Sequence, residues 1–220
     1  PWLHLDGVGA RTDTFGLAGP VAAEAPRAEA ALSAALRAKH LPFVRLDESA
    51  SDEQLAARKL LVVPTFDFLD AQLAARLRRF EANGGRLLSG PRAPTLDAAM
   101  QQADVTLPGG RFDAALLDDP GALADTIAAA ATAAGCCTAI SAAERGADAS
   151  AAPIDTALYT CEGGPALLFL ANGTGRARTA ALDLPTGTSA AVCVQTGERL
   201  AGATLTAPLA PWAVRLFTVE

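Results

Sequence analysis

Histidine, cysteine and aromatic residues are all scarce in this 220-residue chain, and each scarcity removes a class of chemistry. The two histidines, His4 and His40, are unaccompanied. The four cysteines, Cys136, Cys137, Cys161 and Cys193, form neither a C-x-x-C pair nor a spacing with histidine that would build a zinc site. No metal and no cofactor is expected. Adjacent Cys136 and Cys137 cannot easily bridge each other, and Cys161 and Cys193 fall within strand-like patterns, so all four read as small buried hydrophobes in a reducing compartment, the cytosol. Stacking on sugar faces needs exposed rings, and with 5% aromatics only Trp2, Trp212 and Tyr159 could supply them. Positive charge is in deficit as well: 18 basic against 24 acidic side chains leave a net charge of -6, which disfavours a phosphate backbone as partner.

A long, strongly apolar run is also missing. Residues Thr126 to Ala143 carry no charge, but the stretch is mostly alanine, which gains little from lipid, so it reads as a helix packed on a domain and not as a membrane span. The chain opens Pro1-Trp2-Leu3-His4-Leu5, with no methionine, basic leader or signal-type core. No targeting segment is expected. Trp2 to Leu5 reads as a strand already under way in a chain cut from something longer, although initiator removal before Pro1 would give the same start.

What is present is ample core material. Half of the residues are hydrophobic, and 220 residues suffice for two modest domains. Ala30, Ala31, Leu32, Ala35 and Leu36 recur at helical spacing within a helix expected over about Ala23 to Lys39, broken by His40-Leu41-Pro42. Phe43 to Leu46 then reads as a short strand. Lys59 to Pro64 is a continuous branched-apolar run that suits a central parallel strand buried on both faces. Asp70 caps a helix over Ala71 to Ala82 with Leu73, Ala74, Leu77 and Phe80 inward; Asn83-Gly84-Gly85 stops it, and Arg86 to Pro91 is the next strand. Strand and helix alternate, which implies a mostly parallel sheet with helices on both faces, a flavodoxin-like α/β fold. After about Pro153 the pattern changes to short strands, Thr156 to Cys161, Ala166 to Ala171, Ala180 to Leu184, Ala191 to Gln195 and Ala213 to Val219. Turns at Gly163-Gly164-Pro165, Asn172-Gly173, Pro185-Thr186-Gly187 and Thr196-Gly197-Glu198 punctuate them, which signals antiparallel structure. The expected organisation is an α/β domain over residues 1–115, a helical bridge over 116–152 that packs on it, and a β-domain over 153–220.

The segments Leu61-Val62-Val63-Pro64-Thr65-Phe66 and Asn83-Gly84-Gly85-Arg86-Leu87-Leu88-Ser89-Gly90-Pro91 resemble the trimerisation domain of family 42 β-galactosidases, a class I glutamine-amidotransferase-like fold that follows the catalytic barrel. In that family a small all-β domain comes next, and Ala166 to Thr174 followed by Ala210-Pro211-Trp212 is similar to it. The resemblance implies an accessory, oligomerising region of a glycoside hydrolase whose partner is the (β/α)8 barrel of the same protein. A barrel takes about 250 residues, so its acid and nucleophile have no counterpart here.

No residue in the chain is expected to be catalytic. Ser89 occupies roughly the place of an amidotransferase nucleophile, but no cysteine elbow or His/Glu pair accompanies it, and a strand-end structural serine is the reading. Ser89 or Cys136 would carry the chemistry of a free-standing enzyme, the alternative to an accessory region, beside a carbohydrate-binding β-module. Asp67, Asp70, Asp97, Asp118 and Asp119 each flank a helical stretch and read as caps or loop residues. Gly7-Val8-Gly9-Ala10-Arg11-Thr12 lacks the third glycine of a dinucleotide turn, and Pro20 intervenes before any helix. Asn172-Gly173-Thr174 matches a glycosylation sequon, but Asn-Gly favours a hairpin turn.

Overall fold

A computed structural model describes residues 20–99, 101–136, 141–144, 154–159, 166–184, 188–202 and 204–220. The expected Trp2–Leu5 strand, the Gly7–Thr12 turn, Cys137, Cys161 and the turns at 163–165 and 185–187 lie outside these residues. The chain divides into two compact units, Pro1–Leu36 with Val44–Cys137 and Arg37–Phe43 with Thr138–Glu220.

In the first unit, helix α1 (Pro20–Ala38) buries Ala25, Ala28, Leu32 and Ala35, a stripe three to four residues apart. The strand expected at Phe43 to Leu46 does not form. Residues 41–47 have no regular structure; Val44 and Leu46 are exposed, and Arg45 turns back to α1, where its guanidinium meets Glu29 and the Ser33 hydroxyl at 3.2 Å. Apolar alternation over four residues was outweighed by an arginine that found partners on the preceding helix. Helix α2 (Asp52–Ala56) starts from a capping box: the Ser51 hydroxyl accepts from Gln54 N–H at 3.2 Å, and the Gln54 side chain accepts from Ser51 N–H at 2.8 Å.

Strands β1 (Leu60–Thr65), β2 (Arg86–Pro91) and β3 (Gly110–Arg111) form a parallel sheet in that order, with Leu61 opposite Leu87 and Leu88 opposite Gly110. Leu87 to Pro91 are all buried, whereas β1 is half-buried over most of its length. The central strand among the described residues is therefore β2, not the run at Lys59 to Pro64, because β1 has a described neighbour on one side only. Helix α3 (Ala71–Ala82) follows the sequence closely. Asp70 accepts from Leu73 N–H at 2.9 Å, Ala74, Leu77 and Phe80 are buried, and Gly84 at φ +95° ends the helix while Gly85 N–H reaches the Phe80 carbonyl. Gly90 lies where a side chain cannot: a Cβ there would sit 2.1 Å from the Phe112 carbonyl oxygen. A 3-10 turn (Ala114–Asp118) leads into α4 (Pro120–Ala133), which buries Leu123, Ala124, Ile127 and Ala131.

The charge-free stretch is not one helix. Helix α4 ends at Ala133, Gly135 takes φ +65°, and Ser141–Glu144 is strand β4, paired antiparallel with β7 (Arg178–Asp183). Glycine at a left-handed φ ends the helix despite the high helix propensity of the alanines around it, and strand pairing takes the residues beyond. In the second unit β4, β7 and β10 (Thr204–Leu209) form one antiparallel sheet, in the order β10-β7-β4. A second contains β5 (Asp155–Tyr159), β6 (Ala166–Ala171), β8 (Ala190–Cys193), β9 (Arg199–Ala201) and β11 (Val214–Val219), in the order β5-β6-β11-β8-β9. Leu168, Leu170 and Phe217 from the five-stranded sheet share a buried cluster with Leu182, Leu205 and Ala207 from the other, so the unit is a sandwich with its core between the sheets.

Candidate functional site

In parallel α/β sheets ligands collect at the carboxyl ends of the strands. Here that end of β1 and β2 is closed by the protein itself. The Thr65 hydroxyl donates to the Arg92 carbonyl at 2.6 Å, and Arg92 N–H donates to the Thr65 carbonyl at 3.1 Å. The Arg92 guanidinium then bridges Glu24 on α1 and Asp67, 3.2 Å away, and lies 5.8 Å from the Phe66 ring. A cation clamped by two carboxylates has little left to offer a substrate, and the arrangement ties α1 to the sheet.

Ser89 sits beside this cluster in mid-strand, opposite Val63 and Arg111, and is 3% exposed. A nucleophile elbow presents its hydroxyl at a sharp turn between strand and helix. Ser89 instead lies inside the ladder, and its carbonyl accepts from Phe112 N–H at 3.0 Å. His40 belongs to the second unit, where its Nδ1 lies 3.1 Å from the Thr156 hydroxyl; His4 lies outside the described residues. The structure brings no base to Ser89 among those residues.

Each aspartate weighed as a carboxylate catalyst has another engagement. Asp70 and Asp119 cap α3 and α4, Asp97 accepts from Ala99 and Gln101 N–H groups, Asp118 pairs with Arg27, and Asp67 pairs with Arg92. Cys136 is the residue after Gly135 in the α4 stop, its N–H donating to the Ala131 carbonyl at 2.8 Å. Among the described residues no group of histidine, cysteine or acidic side chains could hold a metal ion, and no helix is long and apolar enough to cross a membrane.

The group that sequence reasoning missed is Cys193. Its strand position and 1% exposure match the expected buried hydrophobe, yet its thiol is lowered from 9.0 to about 7. Burial pushes it up and is outweighed by hydrogen bonds from Thr196 and Arg215, with backbone donors at Gln195 and Thr196 adding to them. Arg215 faces the sandwich interior, lies 4.8 Å from the Phe217 ring and pairs with Glu198 at 2.5 Å. The thiol donates to Gln195 Oε1 at 3.1 Å, and at 1% exposure it is enclosed within the unit. The only trace in the sequence is an arginine alternating into the core face of Val214–Val219, two residues from Phe217.

Asn172 was expected in a hairpin turn. The chain instead passes there from one sheet to the other, because β6 pairs with β5 and β11 while β7 pairs with β10 and β4. Asn172 is buried at 2% exposure; its amide donates to the carbonyls of Arg176 (2.7 Å) and Ala210 (2.9 Å), and its oxygen accepts from the N–H (3.1 Å) and hydroxyl (2.7 Å) of Thr174. A fully bonded, buried amide is no glycan acceptor.

The model of one protein family, described as the GLMA-like second domain, matches residues 19–107, under half of the chain. No curated protein sequence matches it. Several solved structures share its fold. The exo-carrageenase GH42 from Bacteroides ovatus superposes with a TM-score of 0.62 at 17% identity, over 86% of this chain and 26% of that one. The GH42 β-galactosidase from G. stearothermophilus gives 0.61 at 13% identity over 87% and 36%. The β-galactosidase from Bacillus circulans sp. alkalophilus gives 0.61 at 11% over 86% and 37%. The chain thus spans about a quarter to just over a third of the length of these relatives. It has the fold of the C-terminal part of family 42 enzymes, an α/β unit with a parallel sheet followed by an antiparallel β-unit.

Proposed function

We propose that this chain is a non-catalytic accessory region of a β-galactosidase-like glycoside hydrolase, seated against the catalytic (β/α)8 barrel of the same protein and taking part in a homo-oligomer. One observation carries the reading. The five-stranded sheet of the second unit is largely apolar on its outer face as well as its inner one, with Asp155 and Arg199 on the edge strands as charged exceptions. Register places Tyr159 opposite Leu167, Phe169 opposite Leu216, Val214 opposite Ala171 and Thr218 opposite Val192, all on the side away from the buried Leu168, Leu170 and Phe217. Tyr159, Val194 and Val214 are more than half exposed there, and Leu167, Phe169, Val192 and Leu216 are half-buried around them. An antiparallel sheet facing water ordinarily alternates to polar residues on that side, and a contiguous apolar patch marks a docking surface.

This face lies on the β-unit, whereas an assembly module read from the sequence would carry it on the α/β unit; the exposed large apolar side chains described in that unit are Val44 and Leu46, in a loop. Residence in the cytoplasm is part of the proposal, supported by the free thiols of Cys136 and Cys193. The test is light scattering of the purified chain beside an assay on a chromogenic β-galactoside. Association without turnover, relieved when Tyr159, Val194 and Val214 are replaced by Ser, Thr and Thr, is the expected result. A monomer that hydrolyses the galactoside overturns the proposal.

A further inference from the structure

The backbone turn that introduces β11 carries its largest side chain where a turn tolerates it least. Ala213 N–H donates to the Ala210 carbonyl at 3.1 Å, closing a four-residue turn with Pro211 second and Trp212 third. Trp212 has φ +57°, the left-handed region that the third position of a type II turn demands and that glycine or asparagine ordinarily fills. The residue is nevertheless 70% exposed, so core packing does not explain its presence. The surrounding loops hold the residue in this conformation. Trp212 N–H donates to the Thr174 carbonyl at 3.0 Å, Asn172 N–H donates to the Ala213 carbonyl at 2.9 Å, and the buried Asn172 amide ties the Ala210 carbonyl to that of Arg176. The indole lies against Gly175, where even an added Cβ would come within 3.7 Å of Nε1. A residue kept in a disfavoured conformation by a satisfied buried network, with its side chain in solvent, points to a use for that side chain.

We infer that Trp212 is a stacking platform for the C–H face of a pyranose ring in a galactose-containing polysaccharide. The flanking residues suit that occupant. Gly175 raises no side chain beside the indole, Nε1 is a donor, and the exposed Arg176 supplies a polar group within the same loop for hydroxyls. The choice of sugar rests on the proposed glycoside hydrolase setting, while the platform itself rests on the turn.

The experiment is electrophoresis of the full chain through native gels with and without soluble β-1,4-galactan, for the wild type, Trp212→Gly and Trp212→Ala. Glycine fits the positive φ, so Trp212→Gly should melt no lower than the wild type, which separates loss of the platform from loss of the fold. Retardation of the wild type by galactan, abolished in both variants while self-association is unchanged, is expected. A wild-type chain that still associates but migrates identically in both gels overturns the platform and leaves the accessory reading standing. Equal retardation of Trp212→Gly, or loss of association in that variant, also overturns it, the latter because the ring would then be a protein contact.

Discussion

Cys193 shows how much a single position can hide. Its thiol is lowered to about 7 from 9.0, so its ionisation stabilises the folded state in the direction of a depressed acid: fully above the unfolded value near 9, and lost as pH falls through about 7. The stability difference between wild type and Cys193→Ala should therefore grow as pH rises from 7 to 9, by up to about 2 kcal/mol at one unit per 1.4 kcal/mol, read by urea denaturation at a series of pH values. A flat difference across that window would mean that Arg215 is held by Glu198 alone. Asn172→Ala removes four hydrogen bonds from a buried site and leaves the carbonyls of Arg176 and Ala210 to find new donors. A loss of roughly 2–4 kcal/mol is expected, measured by the same method. Gly90→Ala would drive a Cβ into the Phe112 backbone, a contact that no side-chain rotation relieves, so the first unit should lose cooperative melting or at least about 3 kcal/mol.

At the scale of elements, those whose ends carry their own chemistry are the ones the sequence places. Asp70 before Ala71–Ala82 and glycine after it bound α3 within a residue, and Asp70→Ala should cost about 1 kcal/mol in thermal or urea unfolding. The sequence does not announce α2, because its five helical residues are too few to show a periodicity. The strand read at Phe43–Leu46 and the helix read through Ala143 failed for a common reason. Short apolar or alanine-rich segments fit several structures, and the choice among them is made by partners distant in sequence, Glu29 and Ser33 for Arg45 and strand β7 for Ser141–Glu144.

Across the molecule, the change of pattern near Pro153 was legible because parallel and antiparallel architectures leave different periods: long helices between apolar runs in one, strands every ten residues or so in the other. The sequence by itself therefore determined the class of each unit and the helix caps that occupy Asp70 and Asp119, because these follow from local spacing. Tertiary structure alone decided that Arg215 points inward to Cys193, that Asn172 ties two loops across a change of sheet, and that Trp212 stands exposed in a glycine's conformation. It also decided that Tyr159, Val194 and Val214 share one outer face. Each of these depends on which strand lies beside which, and strand pairing here joins residues 21 to 53 positions apart through hydrogen bonds of identical backbone groups, on which side-chain sequence leaves little trace.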